Sequence, residues 1–203
     1  MSAVAERMLG RMPVGLRSDG GRLLPLDAER WFAEPSAAEH RLLSRTLAPV
    51  LDVGCGPARH TLSLVARGIP ALGVDISPAA VRVATGRGAP VLHRSVFDRL
   101  PDEGSWGTAL LIDGNVGIGG NPVALLTRLR RTLRRGGRVL VEVGAPGTPT
   151  ESFRATIEGA DLGSWFPWAT VGADALPAVA EGAHLRLREL WPAEGRWFGR
   201  LDT

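Results

Sequence analysis

The run Val50-Leu51-Asp52-Val53-Gly54-Cys55-Gly56-Pro57-Ala58-Arg59 limits what this chain can fold into more than any other stretch. A short apolar strand enters a glycine-paired turn and passes directly into a helix. Ala58, Thr61, Leu62 and Val65 share one face of that helix at the i, i+3, i+4, i+7 spacing. Gly54 and Gly56 lack the Cβ atoms that would hold a ligand off the backbone. Behind them the helix N-terminus offers unpaired N–H groups and a positive dipole end. Such a turn holds a phosphate or another acceptor-rich group, such as a carboxylate and ribose. Asp52, at the strand end, would repel a pyrophosphate and could receive an ammonium group. The ligand expected is a cofactor with a cationic end.

A second apolar strand, Ile69-Pro70-Ala71-Leu72-Gly73-Val74-Asp75-Ile76, ends in Asp75, nineteen positions after Gly56. An acid at about that distance, at the tip of the second strand, accepts hydrogen bonds from both hydroxyls of a ribose. Ser77-Pro78 caps and starts the next helix. At these residues the chain resembles the class I S-adenosylmethionine-dependent methyltransferases. Asp52-Val53-Gly54-Cys55-Gly56 and Val74-Asp75-Ile76-Ser77 carry the likeness, which runs from 50 to 144 and more loosely to the C-terminus. The rival, a nicotinamide- or flavin-binding domain, wants a third glycine where Arg59 stands and has no acid in the place of Asp52. Ala58 stands where the methyltransferase pattern often has glycine.

The resemblance implies S-adenosylmethionine as cofactor, with Gly54, Cys55 and Gly56 at its methionine portion and Asp52 toward its ammonium end. It places Asp75 on the ribose and Ile76 on the adenine. After strand three, in His93-Arg94-Ser95-Val96-Phe97-Asp98, Ser95 stands where an acid usually meets the adenine amino group, and the following Val96 N–H would bond the ring. Asp98 could replace Ser95 in that contact.

Strand and helix alternate from residue 50 onward, which predicts a parallel sheet with helices on both faces. Strands are expected at 50–53, 71–75, 90–93, 108–113 and 138–143, and helices at 58–67, 78–86 and 122–135. Two last runs, 183–191 and 196–201, read as an antiparallel hairpin around Pro192-Ala193-Glu194-Gly195. The whole is similar to the doubly wound, Rossmann-like seven-stranded methyltransferase sheet, order 3-2-1-4-5-7-6 counted from the strand at 50–53.

Residues 1–49 read as a helical cap outside a 50–203 core: a Gly- and Arg-rich loop at 10–22, then helices at 28–33 and 36–47. Ser36 and Glu39 form a capping box for the second helix. Trp31 and Phe32 either cover the cofactor or anchor the cap. At 148–172 an insertion reads as a flap, in which Phe153, Ala155 and Ile157 alternate with polar residues. After a turn at 159–163 comes Trp165-Phe166-Pro167-Trp168, which fits an edge strand. That flap is either a lid over the acceptor or a cover for the sheet edge.

Strand four ends in Asp113-Gly114-Asn115-Val116-Gly117-Ile118-Gly119-Gly120, where cofactor and acceptor should meet. Asp113 is a candidate for cofactor contact, acceptor orientation or general base, and Asn115 a candidate catalytic neighbour. Alternatively, both satisfy backbone groups of a glycine-rich turn.

The 203-residue chain suits one domain, and no apolar run approaches membrane-spanning length. Residues 1–10 lack the apolar core of a secretory signal, so a cytoplasmic location is expected. The lone Cys55 excludes an intrachain disulfide, and its place in the turn suggests a small filler. The four histidines and one cysteine show no metal-ligand spacing. All 24 basic residues are arginine, so a pI of 10.6 accompanies a net charge of only +3. Arg128, Arg130, Arg131, Arg134, Arg135 and Arg138 lack interleaved aromatics and read as a solvated face rather than an RNA surface. The expected function is methyl transfer to a small-molecule acceptor. A catalytically silent cofactor-binding partner and an RNA methyltransferase are the alternatives.

Overall fold

In the computed structural model, which describes residues 14–157 and 165–203, strand and helix alternate from Val50 as the hydrophobic pattern requires. Residues 1–13, and with them the expected N-terminal features, and the expected turn at 159–163 lie outside the described residues. The elements run β1 (Val14–Ser18), β2 (Leu23–Leu26), α1 (Ala28–Phe32), α2 (Ala37–Leu43), β3 (Val50–Val53), α3 (Arg59–Ala66), β4 (Ala71–Asp75) and α4 (Pro78–Gly86). There follow β5 (Val91–His93), β6 (Trp106–Leu111), a kinked 3-10 segment (Asn115–Gly120), α5 (Pro122–Thr132) and β7 (Leu133–Val143). The chain ends with β8 (Glu151–Ile157), β9 (Phe166–Thr170), α6 (Leu176–Gly182), β10 (Arg186–Ala193) and β11 (Arg196–Asp202).

The large sheet has the order β5-β4-β3-β6-β7-β11-β10, with β11 antiparallel to both its neighbours and the rest parallel. Counted from β3 this is the expected 3-2-1-4-5-7-6. Successive side chains on a strand point to opposite faces, and this decides which helix packs where. Leu51, Val53, Ala109, Leu111, Val139 and Val141 share a core with Leu125, Leu126 and Leu129 of α5 and Leu176 of α6. Val50, Leu110, Ile112, Leu140 and Phe198 face the other way, onto Leu42 and Leu43 of α2 and Leu64 of α3. Asp52 and Glu142 alternate onto this second face as well, each the one acid on its strand. Among the described residues no helix is long and apolar enough to cross a membrane.

Two departures from the expected elements have local causes. Helix α5 stops at Thr132 rather than 135, because the chain is already extended at Leu133 and turns at Gly136 (φ 73°). Helix α6 was not foreseen; Pro177 in its first turn is the one local signal. Of the arginine cluster, Arg130, Arg131, Arg134 and Arg135 are exposed. Arg128 instead donates to the Val96 and Asp98 carbonyls, and Arg138 to the Arg45 carbonyl.

The N-terminal region departs most. The part of the expected loop at 10–22 that is described belongs to a hairpin, in which β1 pairs with β2 around a turn where Ser18 Oγ accepts from Arg22 N. Strand β1 also pairs with β8 (Leu16↔Ile157, Ser18↔Ala155), and β8 pairs with β9. A separate four-stranded sheet, β2-β1-β8-β9, results. The cap and the flap are therefore one structure. The helices between this hairpin and the core form as expected, with Ser36 and Glu39 closing a complete capping box on α2.

The glycine-rich loop lets this second sheet dock. A Cβ on Gly117 would lie 2.1 Å from the Ala169 carbonyl oxygen, and one on Gly120 3.0 Å from Pro167 Cβ. Ser152 Oγ donates to the Gly120 carbonyl at 2.6 Å.

Between β3 and β4 the packing is equally close. Cys55 Sγ occupies the place beside Gly73, 2.6 Å from where a Cβ on that glycine would sit. Gly73→Ala is expected to cost about 1–3 kcal/mol by overpacking. Cys55→Ala in the same chain should recover part of that loss, measured as a higher urea midpoint for the double variant than for Gly73→Ala alone.

Candidate active site

The glycine turn is built by side chains that reach back to it. Gly54 and Gly56 both have left-handed backbones (φ 68° and 54°), and a Cβ on Gly56 would meet nothing within 4 Å. Ala58, the N-cap of α3, also has a positive φ (67°) and supplies no capping oxygen. Asp52 supplies one from the strand, accepting from Thr61 N at 3.2 Å and Thr61 Oγ1 at 2.7 Å. With 2% of its surface exposed, Asp52 pins the helix start. Cys55 is a buried filler, as expected. Burial, followed by the negative charges of Asp52 and Asp75, pushes its thiol well above the usual range.

Asp75 accepts from Gly56 N at 2.9 Å and from Ser77 N at 2.7 Å, which joins the turn to the tip of β4. Burial pushes its carboxyl up, against those two hydrogen bonds. Ile76 is 66% exposed, and Phe97, after β5, is 45% exposed, so two apolar side chains stand open at adjacent strand ends. His93 and the Ile76 carbonyl, 3.0 Å apart, tie these ends together. Ser95 Oγ accepts from Phe97 N, and Val96 is buried with its carbonyl held by Arg128.

Asn115 donates from Nδ2 to the carbonyls of Val53 and Gly54, each at 2.9 Å. Those donors brace the glycine turn, which is the backbone role that the sequence left open for it. Asp113 is left-handed (φ 57°), a conformation a short polar residue tolerates better than most. Its N–H donates to Glu142 Oε2 at 2.6 Å. Its carboxylate receives Arg59 Nη2 on both oxygens, at 2.8 and 2.7 Å, and Arg196 Nη2 at 3.1 Å.

Asp113 thus belongs to a buried network that the sequence did not disclose. Glu39, fully buried on α2, receives Arg59 Nη1 at 2.7 Å, Arg196 Nη1 at 2.6 Å and Ser36 N at 2.9 Å. Arg196 grips Glu142 in a two-point fork, Nε to Oε1 at 2.7 Å and Nη2 to Oε2 at 2.6 Å. His60 Nε2 stands 3.4 Å from Glu39 Oε1 without a hydrogen bond. Glu142, the one acid on its strand, was the available signal. Nothing local marks Glu39, Arg59 or Arg196 as partners.

Above the network lies a cavity of about 370 Å³. Asp113, Gly114, Glu142 and Gly144 form its floor at the ends of β6 and β7. Leu16, Leu24 and Leu26 of the small sheet, Trp31 of α1 and Trp168 of β9 wall it. Both tryptophans therefore belong to the cavity.

Residues 50–137 match the family described as "Methyltransferase domain". That segment is similar to methyltransferase domains. The fold agrees across nearly the whole chain. A SAM-dependent methyltransferase from Bacteroides fragilis, solved with S-adenosyl-L-homocysteine, superposes with a TM-score of 0.77 at 21% identity, covering 98% of this chain and 92% of that one. The 1,6-didemethyltoxoflavin-N1-methyltransferase of Burkholderia thailandensis gives 0.61 at 19% identity, with 86% and 81% covered. The CcbJ methyltransferase of Streptomyces caelestis gives 0.63 at 15%, with 84% and 91% covered.

The buried ion network has a pH signature. Burial alone would raise the Glu39 carboxyl from its ordinary 4.5, but His60, Arg196 and the Ser36 N–H outweigh burial and hold it far below that value. A lowered folded-state value adds stability that is complete above the unfolded value and is lost as pH falls toward the folded one. The urea midpoint should therefore drop more steeply between about pH 5 and pH 3 in the wild type than in Glu39→Gln. Equal slopes would remove Glu39 from this role.

Proposed function

We propose that this methyltransferase moves the methyl group of S-adenosylmethionine onto a small molecule held in the cavity between the two sheets. The observation that carries the proposal is the joined pair of Gly56 and Asp75. It sits at the C-terminal ends of β3 and β4, where open α/β sheets bind ligands. The fold neighbours solved with S-adenosyl-L-homocysteine support the same cofactor.

The residues fit that cofactor. Open space at the Cβ position of Gly56 admits a ligand against the backbone. Asp75 offers a carboxylate for ribose hydroxyls, while Ile76 and Phe97 offer apolar surface for a flat base. Ser95 and Val96 line the adjoining loop, with the Ser95 hydroxyl already engaged in its own turn. When bound, the cofactor supplies an electrophilic methyl group on a sulfonium. The protein's share is orientation and exclusion of water.

Asp52, Asn115 and Asp75 hold the turn in its binding shape before any ligand arrives. Asp113 forms part of the acceptor floor. Both its oxygens already accept from guanidinium groups, so we assign it to positioning the acceptor rather than to removing a proton. The small sheet covers the acceptor from above, which gives the flap the role of a lid.

Asp75→Ala should weaken S-adenosyl-L-homocysteine binding, measured by calorimetry, by at least about tenfold, since hydrogen bonds to a charged group contribute roughly 1.5–3 kcal/mol. Undiminished affinity in a variant with wild-type circular dichroism would overturn the assignment of the cofactor site.

A further inference from the structure

The charged side chains that line the cavity are mostly acidic, and that bears on what the cavity accepts. Three carboxylates (Glu39, Asp113 and Glu142) face only two guanidiniums (Arg59 and Arg196). Of these five, Asp113 and Glu142 reach the cavity. Other charged groups nearby are matched or sit elsewhere. Asp27 and Arg30, at the cavity wall, pair with each other at 3.1 Å. Glu194 accepts from Ala38 N and lies 3.9 Å from Arg41. His60 meets Glu39 and is not part of the lining. Among the described residues the lining therefore carries three carboxylates, Asp27, Asp113 and Glu142, and one guanidinium, Arg30, which gives the cavity an acidic surface.

The walls favour the same class of ligand. Two indoles, Trp31 and Trp168, line the cavity with three leucines. Indole faces attract cations as well as apolar rings, and among the described residues the basic side chain that lines the space, Arg30, is paired with Asp27. A volume of about 370 Å³ suits a small ring compound.

We infer that the acceptor carries a cationic amino group on an apolar or aromatic body, with the ammonium held at Asp113 and Glu142 and the body between Trp31, Trp168 and the leucines. This deepens the proposed methyl-transfer reading and rests on it for the term acceptor. The charge preference of the cavity stands on its own geometry.

Three probes sharing one ring system test the inference by calorimetry, with and without saturating S-adenosyl-L-homocysteine: tryptamine (cationic), tryptophol (neutral) and indole-3-propionate (anionic). Tryptamine should bind the wild type at least about tenfold more tightly than tryptophol, a ratio within reach of cation–π attraction combined with a carboxylate. Indole-3-propionate should be the weakest of the three. Glu142→Gln should shrink the preference for tryptamine over tryptophol. The wild-type comparison alone suffices if that variant does not fold. Equal binding of tryptamine and tryptophol, preference for the anion, or no binding of any probe at millimolar concentration would overturn the inference. Loss of charge preference with cofactor binding retained refutes only this reading of the cavity. Charge preference without cofactor binding refutes the methyl-transfer reading instead.

Discussion

The fork from Arg59 to Glu39 and Asp113 sets the positions of the surrounding parts. Arg59 is the first residue of α3, so its backbone adjoins the glycine turn, while its guanidinium reaches Asp113 at the cavity floor. Arg196 closes the circuit by linking β11 to α2, β7 and the end of β6. Taking such charges out of water is costly, and only good geometry and full hydrogen bonding repay it. Loss of a single member would leave a buried charge unmatched, which typically costs about 3–5 kcal/mol. Burial alone would lower the Arg196 value, yet its hydrogen bond to Glu142 and the surrounding carboxylates hold it above the ordinary range. A chain without lysine suits this arrangement, because a planar five-donor fork can satisfy three carboxylates where an ammonium acts as a point charge.

The lid depends on a different kind of coupling. An isolated hairpin is at best marginally stable, and β8–β9 gains its third and fourth strands from the other end of the chain. Strand β1 brings Leu16 to both the sheet and the cavity. The lid is anchored on the core where Gly117 and Gly120 let β9 approach the backbone. The four glycines after Asp113 thus have two tasks: they turn the chain beside the site, and they leave room for the lid.

What the sequence disclosed follows the range of each interaction. The core strands, the C-terminal hairpin, the capping box at Ser36 and the flap strand from Phe153 were legible, because period, turn chemistry and capping act within a few residues, whereas the strand order came from the family resemblance. The β1–β2 hairpin was read as loop, since Gly15 and Pro25 weaken its alternation and its partner β8 lies well over a hundred residues away. Site residues divide in the same way. Asp75 and the glycines carry a fixed spacing, so they could be named. Glu39, Arg59, Glu142 and Arg196 are scattered over four elements, and only the fold makes them one cluster. Asn115 was read as a catalytic candidate or a partner of its own glycine-rich loop, and its amide instead braces the carbonyls of Val53 and Gly54.

Ala58 and Asp113 are two of the five described non-glycine residues with left-handed backbones, a conformation that costs an L-residue roughly 1–2 kcal/mol. One stands at the glycine turn and the other lines the cavity. Strained backbone of this kind persists only where its surroundings over-determine it. Here the next residue after Ala58 is Arg59, whose guanidinium holds the Asp113 carboxylate, while Glu142 holds the Asp113 N–H. The same ion network therefore restrains both strained points. Replacing Arg59 with the third glycine of a dinucleotide fingerprint would give α3 closer packing on the sheet but would cut that link. At Arg59 this chain departs from the dinucleotide pattern, and that departure couples the two halves of its site.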